Sequence, residues 1–140
     1  MIYLIDTNIC IVYLRNRPSP VQRKIQQSRT QDIALCAIVV AELYEGAYRS
    51  ARQAENLEKV VDFIQPFHVL PFDTVAAELA GRYGADLSAK GTPIGPHDLQ
   101  IAAIALANSL VMVTHNTREF SRIAGLRLED WERDDTIATP

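Results

Sequence analysis

Short apolar runs of strand character punctuate this chain at Ile2–Ile5, Ile33–Leu35, His68–Leu70 and Leu110–Val113, with longer stretches of helical character between them. A helix inserted between two strands carries the chain back to the end it started from, so the next strand runs parallel to the last. The alternation therefore predicts an α/β domain built on a parallel sheet. Local signals place the helices. Ser19 and Pro20 form a cap and first turn for "VQRKIQQS". "AIVVAELYEGAYRSA" and "AENLEKVVDFI" read as two helices separated near Ser50–Gln53, and Pro66 and Pro71 bracket the third strand. Asp73 can cap "TVAAELAGRYGADLSA", which Gly91 closes. Gly95 and Pro96 open a helix on which Leu99, Ala102, Ala103 and Leu106 share one face.

The 140 residues suffice for one hydrophobic core, and 48% apolar with 22% charged residues is the balance of a globular protein. We read a single domain over 1–133 and a loose polar tail over 134–140. A formal charge of −3 argues against broad electrostatic attraction to nucleic acid, although basic residues can still gather on one face. Cys10 and Cys36 lie in apolar stretches without metal-type spacing, as small buried hydrophobes of a reducing compartment do. With neither a membrane-length apolar run nor a signal-peptide pattern, the expected location is the cytoplasm.

Acids stand where such a sheet binds ligands, beyond the carboxyl ends of its strands. Asp6 follows the first strand directly, in "LIDTN". Capping the next helix, by Asp6 or Asn8, is as good an account of that residue as chemistry is. Asp98 falls in the first turn of its helix, where the macrodipole favours a negative charge in any case. Helix amino ends and strand carboxyl ends share one edge of the layer, however, so Asp98 and Asp6 can face one crevice. Glu42 is embedded in "CAIVVAELYEGA", a setting that demands a partner such as an arginine. Glu45, one turn on, has a weaker case. In "VTHNTREF", Asn116 and Glu119 fit a capping box and also lie at the same edge. His97 and His115 neighbour the region without paired ligand spacing.

Carboxylates converging on one edge repel one another unless a cation sits among them. An oxygen-only set suits Mg²⁺, with Mn²⁺ able to substitute, rather than zinc.

Four stretches in order, "LIDTN" (4–8), "AELYEGA" (41–47), "GTPIGPHDLQIAA" (91–103) and "VTHNTREFSRIAGLRLEDW" (113–131 from its Val), resemble the PIN-domain ribonucleases of the VapC toxin family across essentially the whole chain. The wording is similar to enteric members that cut the anticodon loop of initiator tRNA. The resemblance implies a PIN-like three-layer α/β/α sandwich with strand order 3-2-1-4-5. It carries Asp6, Glu42 and Asp98 over as site acids, with Asp6 and Asp98 as metal ligands. The fourth acid falls at Glu119, which we favour over Asn116, the position where some relatives have aspartate. Thr7, Asn8, Thr114 and Asn116 are hydrogen-bonding candidates around those acids. The implied reaction is metal-assisted hydrolysis of an RNA phosphodiester by an activated water, leaving 5′-phosphate and 3′-hydroxyl ends. The implied partners are a VapB-type antitoxin and a second copy of the chain, with operator DNA reached only through the antitoxin and no membrane. "ICIVYL" and "AIVVAELY" are candidate docking surfaces.

RNA would be held by basic residues among Arg15, Arg17, Arg23, Lys24, Arg49 and Arg52, with Tyr13, Tyr44, Tyr48 or Phe120 as a stacking platform. Two rivals stand beside this reading. One is a catalytically silent PIN-like module that only binds RNA or protein. The other is an aspartate-nucleophile phosphatase of the haloacid dehalogenase type, which usually needs a second aspartate where this chain has Asn8.

Overall fold

The computed structural model describes residues 1–133; the expected loose tail, 134–140, lies outside the described residues. The sheet consists of β1 (Tyr3–Ile5), β2 (Ile33–Cys36), β3 (His68–Leu70), β4 (Val111–Val113) and β5 (Leu128–Glu129). All neighbours are parallel, in the order β3-β2-β1-β4-β5. Helices flank it: α1 (Thr7–Leu14), α2 (Pro20–Gln27), α3 (Ala37–Tyr48), α4 (Gln53–Ile64), α5 (Thr74–Ala89), α6 (Pro96–Ala107) and the single turn α7 (Thr117–Phe120). This is the three-layer α/β/α arrangement and strand order 3-2-1-4-5 that the resemblance implies. The apolar strand runs are apolar because both faces are covered: β2 and β4 are buried at every residue. Exceptions stand at the sheet's margins: His68 and Val69 of β3 are exposed, and Ile2, 46% exposed, lies outside β1, so the first strand is one residue shorter than its apolar run.

The helix ends follow the local chemistry. Ser19 accepts from the Gln22 N–H, and Asp73 from the Ala76 N–H, each satisfying an orphan donor of the first turn. Gly91, at φ +73°, ends α5: its N–H bonds the Ser88 carbonyl and the Thr92 N–H reaches Leu87. The end of α6 repeats this geometry with Ser109 in the left-handed position. Glycine matters in another way at Gly84 of α5, where a Cβ would come within 2.9 Å of the Leu99 side chain of α6. That bare backbone lets α5 and α6 pack closely, and α6 carries Asp98.

Two sequence expectations are corrected here. Asn116 makes no side-chain cap to α7; its amide Nδ2 donates instead to Glu119 Oε2 at 2.7 Å, so the pair is joined side chain to side chain. Phe120 is 1% exposed, part of the core, and has no face to offer a base. Core packing also claims the cysteines: Cys10 and Cys36 are both fully buried, and burial pushes the first thiol well up and the second to about 11. No described helix is long and apolar enough to cross a membrane.

Candidate active site at the β1/β4 crevice

The chain leaves β1 toward β2 and β3 on one side, and returns to place β4 and β5 on the other. Strand order therefore reverses between β1 and β4, the point at which a parallel sheet opens a crevice beyond its carboxyl ends. Asp6 follows β1 there, and Thr114 follows β4. Asp6 is 6% exposed and both caps α1 and faces the crevice region, so the two accounts of this residue coexist. Its Oδ1 accepts the Ile9 N–H at 3.1 Å. Burial raises its carboxyl above the usual range, while bonds from the Thr114 hydroxyl and the Ile9 and Asn8 N–H groups hold it down, and the charge of Glu132 adds to the rise. Thr114 is wholly buried, and its oxygen also accepts the Asn116 N–H at 3.1 Å. Thr114 thus links the first acid to the loop that carries the fourth.

Asp98 enters from the first turn of α6. Its carboxyl is pushed up to about 6, first by burial and then by the charges of Glu119, Asp6 and Glu42, with His97 opposing. The four sequence candidates, delivered by β1, α3, α6 and α7, therefore lie within electrostatic reach of one another. Glu42 is less enclosed than its neighbours in sequence suggest: its side chain is 31% exposed. Its partners are not an arginine. Thr7 Oγ1 donates to Glu42 Oε1 at 2.6 Å, and His97 Nδ1 stands 3.5 Å from Oε2. Asn8 and Glu45 are exposed.

A second group was missed by sequence reasoning. His115 Nδ1 lies 3.0 Å from Asp130 Oδ2 and 3.3 Å from Glu132 Oε2. Among the described residues these three have ligand atoms within 4.8 Å of one another. The only sequence signal was the acidic "EDWE" near the end of the chain; nothing local tied it to His115.

A parallel α/β sandwich with acids gathered at its switch point defines the PIN-type architecture, and a family model described as the PIN domain matches residues 3–126. The chain is 41% identical over 129 residues, 92% of its length and 97% of the relative's, to a tRNA(fMet)-specific endonuclease VapC of Salmonella typhimurium. It is 34% identical over 134 residues, 95% of its length and all of the relative's, to Ribonuclease VapC2 of Rickettsia felis. The crystal structure of DNA-bound VapBC from Salmonella typhimurium superposes with TM-score 0.88 at 40% identity, covering 94% of this chain and 98% of the other. The VapBC-1 structure from nontypeable Haemophilus influenzae gives 0.85 at 32%, covering 95% and 100%. The chain belongs to the PIN-domain family and, within it, to the VapC ribonucleases. That membership favours an endoribonuclease over both a silent binding module and an aspartate-nucleophile phosphatase.

Proposed function

We propose that this VapC-family endoribonuclease toxin cuts RNA by divalent-metal-assisted hydrolysis at the β1/β4 crevice. In this reading Asp6 and Asp98 hold the metal, and Glu42 and Glu119 orient the attacking water. The observation that carries it is the convergence of carboxylates from four elements, felt at Asp98, whose carboxyl is raised to about 6 first by burial and then by their charges. Acids so placed are relieved by a hard cation, and an all-oxygen donor set fits Mg²⁺ or Mn²⁺. When bound, such an ion polarises the phosphoryl oxygen and lowers the pKa of the attacking water.

The chain's own groups supply orientation. Asp6, fixed by two backbone N–H groups and the Thr114 hydroxyl, is a carboxylate of set direction. Glu42 is tied by Thr7, and Glu119 by Asn116, leaving each with lone pairs to align a water and accept its proton. Attack by water rather than by a ribose hydroxyl leaves 5′-phosphate and 3′-hydroxyl ends.

The relative of Salmonella typhimurium named for tRNA(fMet) supports initiator tRNA as the substrate, and in our reading the cut falls in its anticodon loop. Tyr48 is 58% exposed and Tyr44 stacks on it at 6.5 Å, an aromatic face for an unstacked base. Arg15, Arg17, Arg23, Lys24, Arg49 and Arg52 are all exposed and are the candidates for holding the backbone.

VapBC complexes among the structural relatives support a VapB-type antitoxin as partner. A cavity of about 400 Å³ between α1, α3 and α4 is lined by Ile11, Leu14, Leu43, Ala47 and Val60, with Glu42 in its wall. It suits an apolar antitoxin segment carrying an arginine to Glu42. We place the protein in the cytoplasm as a homodimer that reaches operator DNA only through its antitoxin.

Purified protein incubated with an initiator tRNA transcript should cleave it with Mg²⁺ or Mn²⁺ and stop with EDTA. Asp6→Asn should fold, by circular dichroism, and be inert. Unchanged cleavage by that variant would remove the proposed site.

A further inference from the structure

We infer that His97 is a positioning residue for Glu42, fixing the direction of that carboxylate beside the acid crevice; the inference rests on the nuclease reading and deepens it. The fold gives the two oxygens of Glu42 two different neighbours. Oε1 accepts from Thr7 Oγ1 of α1 at 2.6 Å, and Oε2 faces Nδ1 of His97 of α6 at 3.5 Å. A carboxylate tied at one oxygen still turns about its last side-chain torsion, which is broad. A second polar group close to the other oxygen, here at 3.5 Å and so longer than a hydrogen bond, favours one setting of that turn and of the plane of the group.

Packing does not account for the contact. His97 is 65% exposed and Glu42 31% exposed, so neither side chain is forced into place by the core. An exposed pair of this kind contributes little to stability. The sequence position is informative too. His97 directly precedes Asp98 in the first turn of α6, so one helix turn delivers an acid of the crevice and the group that steadies another. The imidazole thus acts through Glu42, bridging α3 and α6 where their acids meet, with Thr7 of α1 on the opposite side.

The test is steady-state cleavage of an initiator tRNA transcript in saturating Mg²⁺. His97→Ala should lower kcat about tenfold, with KM changed by less than about twofold. His97→Asn, which puts an amide donor near the place of Nδ1, should recover kcat to within about threefold of the parent. Because His97 is exposed, both variants should keep the parental melting temperature. In a Glu42→Gln background, His97→Ala should cost little further. A kcat for His97→Ala within about twofold of the parent would overturn the inference. So would a loss confined to KM, no recovery in His97→Asn, or a full further loss in the Glu42→Gln background. Asp98→Asn run in parallel separates the two levels. If it cleaves like the parent, the nuclease site is wrong; if it is inert while His97→Ala is fully active, only the role of His97 is lost.

Discussion

Two acidic regions share one edge of this sheet and are built on opposite principles. At the β4/β5 corner, Asp130 and Glu132 close on His115 at 3.0 and 3.3 Å, so one side chain of the protein is a near partner to both acids. At the β1/β4 crevice the hydrogen bonds to the acids come from backbone N–H groups and Thr114 at Asp6, Thr7 at Glu42, and Asn116 at Glu119, while an imidazole, His97, stands farther off, 3.5 Å from Glu42. Such donors orient a carboxylate without cancelling its charge, and Asp98 is raised first by burial and then by the charges of Glu119, Asp6 and Glu42. The first arrangement joins a loop to the C-terminal segment. The second leaves a negative potential suited to a cation from outside.

The sharpest way to break this contrast is to neutralise one acid in each region. Asp98→Asn should reduce RNA cleavage by about 10³-fold or more while the chain stays folded. Asp130→Asn should leave cleavage near the parental rate. Equal losses from both, measured on the same transcript, would merge the two regions into one site.

A pH titration of stability comes next in size. Asp98 has a folded value of about 6 against 3.8 for the free group. Between those values the unfolded chain releases the proton while the folded chain keeps it, so this residue's contribution falls as pH rises through the window and is lost above it. The melting temperature of the parent, minus that of Asp98→Asn, should therefore decline from pH 3.8 to about 6. Mg²⁺ at neutral pH should raise the parent's melting temperature by binding the native state. A flat difference across the window would show that burial and neighbouring charge do not raise Asp98 as described.

Thr7→Val tests the neutral tie at Glu42 and should cost about tenfold in kcat, read from the same cleavage assay. The smallest effect belongs to His115→Ala. His115 is 64% exposed, so its ion pairs are screened, and their loss should cost at most about 1 kcal/mol in a urea melt with activity kept. Abolished cleavage in that variant would give the β4/β5 corner a part in the chemistry.

Features set by adjacent residues were legible in the sequence. The caps at Ser19 and Asp73, the Pro96 opening of α6 and the glycine end of α5 each depend on a few neighbouring atoms, and each formed as read. β5 was harder, because two residues flanked by polar ones carry no apolar run; pairing with Met112 and Val113 makes them a strand. The setting of Glu42 demands a partner, for which an arginine would serve; the partner is Thr7, 35 positions away, with His97 beside it. Phe120 was read among the surface aromatics, but the single turn of α7 directs it into the core.

By itself, then, the sequence determined the parallel α/β alternation, the starts of α2, α5 and α6 and which acids stand at strand and helix ends, since all of these follow from residue order and short-range hydrogen bonding, whereas the helix read through Ala51 ends at Tyr48. Only the tertiary structure decided which groups answer those acids: Thr114 for Asp6, Thr7 and His97 for Glu42, and His115 for Asp130 and Glu132. Hydrogen bonds and Coulomb forces act over a few ångströms, and separation along the chain does not encode that distance.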